Sequence, residues 1–387
     1  MSDSKQPKVA LVHDYLNQYG GGERVVEALA EIWPEANVYT SLYDRELMKN
    51  WLKINPSRIK TNFISKLPFA NYLSKHYFFL YPLAFRMQDL DDADIIFSTS
   101  SYAAKFARGK KGSIHICYLH TVPRFLWGYD TELDGYYRRP FDQLLAPIYK
   151  LIVPIFKFFL RKADFSAAQK INYFIVNSNE VKKRLAKHYK RNGVVIYPPV
   201  DVERFKTESR IINQESSPKK GDYYLIVSRL SAYKKIDTAV QAFNRLGKRL
   251  KIVGDGPQRA YLKSVAAPNV ELLGRIADDK VTQLVKNCKA FIFPALEDFG
   301  IVVVEAQAAG KPVIAFGQGG ATETVVDGKT GLFFREQLPK SIIEAVKKFE
   351  NMTFDSKECQ KQADKFSKEV FKKKISDFVN QVSKDVT

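Results

Sequence analysis

Cysteine is scarce in this chain, and its uninterrupted apolar segments are short. The three cysteines, Cys117, Cys288 and Cys359, lie far apart with no Cys-x-x-Cys pair. Neither a disulfide framework nor a zinc site of the usual spacing is therefore supported. No stretch reaches the roughly 20 consecutive apolar residues that cross a bilayer, and the first residues lack the apolar core of a signal peptide. These absences predict a reducing, cytoplasmic location.

Acidic residues are too few to balance the basic ones, which leaves a formal net charge of +19. There are 30 basic against 20 acidic residues up to Phe205 and 31 against 22 beyond it, so no single basic tail accounts for the excess. Such a chain calls for an anionic partner, which could be a phosphorylated substrate, an anionic membrane or nucleic acid. Nucleic acid is the least favoured of these, because no recognised nucleic-acid motif is present.

The length of 387 residues exceeds one ordinary hydrophobic core and predicts two domains of nearly 200 residues each. Apolar strands followed by loops and helices place both domains in the α/β class. The glycine loop Gly20–Gly22 separates a first strand from a helix that we expect to begin at Glu23. It does not match the Gly-x-Gly-x-x-Gly dinucleotide fingerprint, so a dinucleotide site is disfavoured.

The most informative stretch runs from residue 294 to 312. Residues 290–293 read as a buried parallel strand, residues 294–300 as the loop at its carboxyl end, and residues 301–309 as a helix. Ligands of open α/β sheets bind at such junctions. Glu297 lies in the loop and Glu305 in the helix, although two glutamates at this spacing are by themselves more often simply solvated.

The start of this helix can bind an anion. The backbone N–H groups of Phe299, Gly300 and Ile301 have no intrahelical acceptor there, and the helix dipole favours negative charge. Glu297 could accept hydrogen bonds from sugar hydroxyls, and Glu305 from another diol such as a ribose. A phosphorylated sugar fits this combination.

The surrounding residues add a family resemblance. Glu-x7-Glu with Phe-Gly after the first acid, then Ala-Gly-Lys-Pro-Val-Ile-Ala and Gly319-Gly320-x-x-Glu323, resembles the retaining glycosyltransferases of family 4. That resemblance implies two facing Rossmann-like domains with a deep cleft between them, the GT-B fold. Residues 1–205 would then bind the acceptor and residues 206–365 the nucleotide sugar, with residues 366–387 forming a helix that crosses back to the first domain.

The same resemblance assigns the donor site. Arg229 and Lys234, in the basic loop after a strand at 222–228, match the pair that neutralises the donor diphosphate, and the loop after the strand at 270–274 would touch the base. The residues expected to bind donor are Gly21, Gly22, Arg229, Lys234, Gly254, Arg275, Ile276, Glu297, Phe299, Gly300, Ile301 and Glu305. The residues expected to take part in catalysis are His120, Arg229, Lys234 and Glu297.

The acceptor side is predicted from two segments of the first domain. Gly22 and Arg24 belong to a Gly-Gly-x-Glu-Arg loop that family members aim at the diphosphate and acceptor. His120 and Arg124 match the His-Thr-Pro-x-Arg-x-Leu-Trp signature of a bacterial mannosyltransferase branch, in which Val122 disturbs the register of the proline.

A metal or other cofactor is not expected. Asp91, Asp92 and Asp94 could form an Asp-x-Asp metal motif, but they directly precede an apolar strand and are better interpreted as solvated turn acids. The GT-B fold implied by the resemblance does not require a metal.

Two segments are candidates for contact with an anionic membrane surface. Residues 72–88 are aromatic and basic, and residues 144–161 form a proline-interrupted helix with Lys150, Lys157 and Arg161 in one stripe. Burial in the core is the alternative for both segments.

Together these features predict a retaining, metal-independent glycosyltransferase. It would move a hexose, most simply mannose from GDP-mannose, to a hydroxyl of a lipid-linked saccharide at the inner face of the cell membrane. A UDP-hexose donor and a non-catalytic sugar-nucleotide-binding protein remain the alternatives. Neither the acceptor, the linkage nor the oligomeric state follows from the sequence.

Overall fold

The computed structural model describes residues 7–49, 52–74, 76–128, 140–206 and 222–384. The side chains of residues 140–153 and 384 are not among those described. Two compact units divide the chain. Among the described residues, the first unit comprises 7–128, 140–199 and 371–384, and the second comprises 200–206 and 222–370.

The described part of the first unit is built on seven parallel strands in the order β3-β2-β1-β4-β5-β6-β7. These strands are β1 Val9–His13, β2 Val38–Thr40, β3 Ile59–Thr61, β4 Ile95–Ser100, β5 Ile114–Leu119, β6 Tyr173–Val176 and β7 Val194–Val195. Its helices are α1 Gly21–Ile32, α2 Arg45–Met48, α3 Tyr81–Arg86, α4 Arg124–Trp127, α5 Pro140–Gln169 and α6 Asn179–Tyr189, with short 3₁₀ helices at Pro56–Arg58, Phe63–Lys66 and Ala104–Phe106.

Strand β1 shows why this sheet is covered on both sides. All five of its residues are buried. Val9 and Leu11 belong to one core cluster, while Ala10 and Val12 belong to another. Since successive side chains of a strand point to opposite faces, helices must cover both faces, as in doubly wound α/β proteins.

The described part of the second unit has six parallel strands in the order β10-β9-β8-β11-β12-β13. These strands are β8 Tyr224–Val227, β9 Leu250–Val253, β10 Val270–Gly274, β11 Ala290–Phe293, β12 Val313–Phe316 and β13 Gly331–Phe334. The helices are α7 Glu203–Lys206, α8 Ile236–Leu246, α9 Arg259–Val265, α10 Asp278–Asn287, α11 Ile301–Ala308, α12 Ala321–Thr324, α13 Pro339–Glu350 and α14 Ser356–Asp364, with a 3₁₀ helix at Ala232–Lys234. Two doubly wound parallel sheets confirm the predicted fold class.

The last helix, α15, spans Lys368–Lys384 and returns the chain to the first unit. Phe371, Ile375, Val379 and Val382 recur every three or four residues and are buried in the same cluster as Val9 and Leu11. This spacing places them on one helical face, and their burial holds the helix there.

Two helices differ from their sequence-based bounds. Helix α5 continues from Pro140 to Gln169 and so passes through both prolines that were expected to interrupt it. Helix α1 begins at Gly21, two residues before the expected start, with Gly20 as its N-cap. Gly21 and Gly22 therefore belong to the first turn of α1, where backbone N–H groups have no intrahelical acceptor.

Candidate active site

The predicted donor residues of the second unit follow the carboxyl ends of its strands. The strand order reverses between β8 and β11, because β9 and β10 lie on one side of β8 while β12 and β13 lie beyond β11. Such a topological switch point is where open α/β sheets bind ligands. Arg229 and Lys234 come after β8, and Glu297 comes after β11. The predicted residues therefore flank this switch point from both strands.

Lys234 and Glu297 are in direct contact. The Lys234 ammonium donates a hydrogen bond to a carboxylate oxygen of Glu297, and their side chains are only 12% and 21% exposed. Burial by itself lowers the pKa of Lys234, but the charge interactions and hydrogen bonds of Glu297 and Tyr233 together more than offset that effect, so the pKa is raised and the ammonium stays charged. The Lys234 ammonium also lies 4.9 Å from the centroid of the Tyr233 ring.

A glycine loop supports the backbone of Glu297. Gly320 donates its N–H to the Glu297 carbonyl at 2.8 Å. A Cβ on Gly320 would lie 2.3 Å from the Cα of Phe299, and one on Gly319 would lie 2.5 Å from the Glu297 carbonyl oxygen. Only glycine lets the two loops approach this closely, which is the physical reason for Gly319-Gly320.

Helix α11 starts at the predicted anion-binding position. Gly300 adopts φ +87° as its N-cap, a conformation that favours glycine, and a Cβ there would lie 2.9 Å from the Phe293 ring. Ile301 is the first helical residue, Phe299 is buried, and Glu305 in the second turn is 8% exposed. The amide N–H groups at this helix start can bind a phosphate oxygen.

The remaining predicted donor residues lie on neighbouring loops. Gly254 adopts φ +131°, and a Cβ on it would lie 1.9 Å from the Ser228 carbonyl oxygen, so this glycine lets the β9 loop pack against the segment leading to Arg229. Arg229 itself is exposed. Arg275, exposed, and Ile276, half-buried, follow the end of β10.

In the first unit the strand order reverses between β1 and β4. His13 ends β1 and is the register partner of Thr99, the last residue but one of β4. A 2.5 Å hydrogen bond joins His13 Nδ1 to Thr99 Oγ1. His13 Nε2 lies 3.6 Å from a carboxylate oxygen of Glu23, which is buried in the first turn of α1. Three polar side chains are thus collected at this switch point.

His120 belongs to the same group. It follows β5, and its carbonyl accepts a hydrogen bond from the Asn177 amide at 2.9 Å. Its ring lies edge-on to the His13 ring, with a centroid distance of 6.4 Å. A Cβ on Gly22 would lie 3.5 Å from the His13 ring and 3.6 Å from His120 Nε2. The structure therefore brings the predicted residues Gly22 and His120 together in the first unit.

The two arginines predicted on the acceptor side lie on helices of the first unit. Arg24 is half-buried in the first turn of α1. Arg124 is the first residue of α4 and is also half-buried. Val122, where the signature expects proline, is fully buried, and Pro123 becomes the N-cap of α4 instead.

A buried polar network anchors α4. Trp127 Nε1 and the Tyr189 hydroxyl both donate to Asp164, at 2.9 and 2.6 Å. Asp164 also forms an ion pair with Lys105 at 2.7 Å, and both of these side chains are fully buried. The network joins α4, α5 and α6, and so fixes the helix that follows His120.

Sequence reasoning missed His13, Glu23 and Asp14 as site residues. The Asp14 carboxylate accepts four backbone N–H groups, those of residues 101–104, at 2.6 to 2.9 Å, and so shapes the turn after β4. One signal could have found His13: like His120, it lies at the carboxyl end of an apolar strand. The contacts of His13 with Thr99 and Glu23, and of Asp14 with residues 101–104, could not be read from local sequence.

The acidic cluster before β4 has structural partners. Asp91 accepts hydrogen bonds from the Tyr39 hydroxyl and from Asn37, which lower its pKa. Asp94 accepts the backbone N–H of Lys8 and pairs with Lys110 at 2.8 Å. These contacts hold the acidic turn against residues in or directly before β1 and β2.

Two family models account for most of the chain. Residues 19–204 match the model described as "Glycosyltransferase Family 4", and residues 207–369 match "Glycosyl transferases group 1". The chain belongs to the family 4 glycosyltransferases. Membership agrees with the resemblance of the motifs at Glu297, Gly319 and His120.

Curated relatives share parts of the chain. An uncharacterized glycosyltransferase of Methanocaldococcus jannaschii, MJ1178, is 31% identical over 51% of this chain and 54% of its own length. The α-1,3/1,6-mannosyltransferase ALG2 of Dictyostelium discoideum is 28% identical over 54% of this chain and 60% of its own length. A GDP-mannose-dependent α-(1-6)-phosphatidylinositol monomannoside mannosyltransferase of Mycobacterium tuberculosis is 35% identical over 35% of this chain and 40% of its own length. The match thus spans about half the length of these relatives.

Solved structures resemble the whole fold at low identity. Sucrose-phosphate synthase of Thermosynechococcus elongatus gives a TM-score of 0.73 at 17% identity, covering 98% of this chain and 100% of that one. Anabaena HepE in complex with UDP-glucose gives a TM-score of 0.67 at 18% identity, covering 96% of this chain and 99% of that one. These similarities establish the fold.

Proposed function

We propose that this protein is a retaining glycosyltransferase that transfers mannose from GDP-mannose to a hydroxyl of a lipid-linked saccharide. The observation that supports this best is the contact of Lys234 with Glu297 at the switch point of the second unit. A buried cation beside a helix start suits a diphosphate, and a carboxylate suits sugar hydroxyls. Mannose and a lipid acceptor are suggested by the names of the Dictyostelium and mycobacterial relatives.

The proposed mechanism stabilises the leaving group. Arg229, Lys234 and the amide groups at the start of α11 would neutralise the charge that develops on the diphosphate. The acceptor oxygen would form its bond to the anomeric carbon on the face from which the diphosphate departs, and a phosphate oxygen would take the acceptor proton. Glu297 would hold the hexose and Glu305 the ribose. His120, in the first unit, would contact the acceptor side.

A nucleotide-sugar panel tests the donor. GDP-mannose, UDP-glucose and UDP-galactose are compared by thermal shift, and we expect GDP-mannose to raise Tm the most, by mass action on the folded state. Release of GDP with a saccharide acceptor then establishes turnover, and NMR of the product establishes the anomeric configuration. Preference for a UDP-hexose would replace the donor. Binding without turnover would favour a sugar-nucleotide-binding protein, and an inverted product would refute retention.

The diphosphate contacts are tested by Arg229→Ala and Lys234→Ala. Each change removes a positive charge that acts on the transition state, so we expect turnover to fall roughly 100-fold or more. Lys340→Ala, at a lysine whose side chain is 86% exposed, is the matched control and should leave turnover unchanged. Near-normal turnover of both site variants would refute the assignment.

A further inference from the structure

We propose that the first unit docks on an anionic lipid bilayer through an exposed apolar surface, here called the docking face. The docking face consists of Phe79, Leu83 and Met87 around α3, and of Phe156, Phe158 and Phe159 on α5. The proposal rests on the proposed function only for the reason why such a surface would be needed, because a lipid-linked acceptor would have to be reached at a membrane.

Exposure of these side chains is unusual for their type. Each of the six is between 41% and 67% exposed. The two segments meet, because the rings of Phe79 and Phe156 have centroids 5.5 Å apart, and Phe158 and Phe159 lie at the same separation. Single exposed apolar residues are ordinary, but a contiguous group of them marks an interaction surface.

Packing of α5 determines which side chains face outward. Leu160, Asp164 and Ala167 are buried on one side of the helix. At about 100° per residue, Phe158 lies nearly opposite the centre of that side and Phe159 about 100° from it, so packing of the helix leaves both to solvent. Phe156 lies about 50° from the centre, one turn before Leu160, and is exposed beside Phe79.

Two side chains of the basic stripe predicted on α5 are described, those of Lys157 and Arg161. Lys157 is half-buried, and Arg161, although exposed, donates a hydrogen bond to the Leu126 carbonyl and lies 6.0 Å from the Trp127 ring. The side chain of Lys150 lies outside the described residues. Arg161 faces α4, so changing this stripe to glutamate would disturb packing and would not test lipid binding.

Charge around the docking face favours an anionic lipid as its partner. Residues 47–88 and 143–163 contain lysines and arginines but no aspartate or glutamate. Among the basic residues, Lys66, Arg86 and Lys162 are exposed, and the Lys162 ammonium lies 4.4 Å from the centre of the Phe158 ring. Aromatic side chains that enter the interface beside lysines that meet anionic headgroups are typical of peripheral membrane surfaces.

The docking face adjoins the loop after His120. The rings of Phe78 and Phe125 have centroids 5.9 Å apart, and Phe125 lies in α4, five residues after His120. A bilayer at this face would bring a lipid-linked saccharide near that histidine. Among the described residues, no helix is long and apolar enough to cross a bilayer, so the contact proposed is one at the membrane surface.

Flotation with lipid vesicles tests the proposal in the full chain without donor or acceptor. The vesicles contain phosphatidylcholine alone or with about 30% phosphatidylglycerol. The variant F156Q/F159Q removes two aromatic side chains, and R86E/K162E reverses two exposed charges. Y261Q/L338Q changes two similarly exposed apolar residues of the second unit, 47% and 53% exposed, and is the matched control.

The wild type and the control should float with the anionic vesicles. F156Q/F159Q should bind at least about 10-fold more weakly, because it loses apolar insertion. R86E/K162E should lose its preference for phosphatidylglycerol. Unchanged binding of F156Q/F159Q, or no binding of the wild type to either vesicle, would overturn the proposal and leave the face as a protein contact. Thermal shift with nucleotide sugars in each variant, measured without lipid, tests the proposed function separately and verifies the fold.

Discussion

The carboxylates of Glu297 and Glu305 lie in the same motif but in different surroundings. Glu297 is 21% exposed and paired with Lys234, whereas Glu305 is 8% exposed within α11. Glu297→Gln should chiefly lower kcat, because contacts with the hexose strengthen as its ring flattens in the transition state. Glu305→Gln should chiefly raise donor KM, since ribose contacts are equal in both states. We expect effects of roughly 10- to 150-fold.

Steady-state kinetics across donor concentrations measures both effects. The opposite pattern, with Glu297→Gln changing KM alone and Glu305→Gln changing kcat alone, would exchange their roles. No effect from either change would remove the motif from the donor site.

His115 makes the stability of the first unit depend on pH. It is buried on β5, and its Nε2 shares a 2.8 Å hydrogen bond with Ser98 Oγ. Burial, and secondarily the charge of Arg108, lowers its pKa to about 3, from 6.5 in the unfolded chain. Its contribution to stability is thus complete above pH 6.5 and is lost as the pH falls towards 3. Between pH 7 and 5 the loss should be about 2 kcal/mol.

Urea unfolding at pH 7 and pH 5 measures this dependence. His115→Gln should lower the stability at pH 7 and flatten the decline, because the unfolded state of the variant gains no proton at that position. The partly exposed His76→Gln variant serves as the control. A variant at position 115 with the same slope as the wild type would show that other groups set the pH dependence.

At the scale of elements, the loop between β12 and α12 supports the loop after β11 that carries Glu297. Gly320→Ala would place a methyl group against the Phe299 backbone, and we expect a loss of about 1 to 3 kcal/mol in unfolding free energy, with weaker donor binding. Gly328→Ala is the control, since its φ of +72° makes alanine strained although no atom lies within 4 Å. It should cost about 1 kcal/mol and leave donor affinity unchanged.

Chemical unfolding and calorimetric donor titration separate the two glycines. If Gly320→Ala bound donor as tightly as the wild type, contact with the glycine loop would not be what positions Glu297.

Elements differ in how far local sequence predicted them. Apolar runs such as residues 290–293 were correctly predicted as buried strands, because burial on both faces requires continuous apolar residues. The course of α5 through Pro147 and Pro154 was predicted wrongly. A proline costs a helix about 3 kcal/mol, but tertiary packing along the rest of the helix can exceed that cost.

At the scale of the whole molecule, the proposed reaction should need no divalent metal. In the proposed mechanism, Arg229, Lys234 and the amide groups of α11 would supply the positive charge that a metal supplies elsewhere. Turnover with GDP-mannose should therefore persist in excess EDTA. Loss of turnover in EDTA, restored by magnesium and also seen in Asp92→Asn, would mean that the acidic turn at residues 91–94 had been misinterpreted.

The sequence by itself determined the two α/β units, the loop-to-helix junction at Glu297 and the positions of Lys234 and His120. Each of these depends on local pattern: apolar runs, glycines and the spacing of charges along neighbouring residues. Only the tertiary structure decided that Lys234 contacts Glu297, that His13 meets Thr99 and Glu23, and that Phe158 and Phe159 of α5 are exposed. These features depend on strand order and register, which join residues as many as 86 positions apart. Local sequence does not show which distant surface an element will cover.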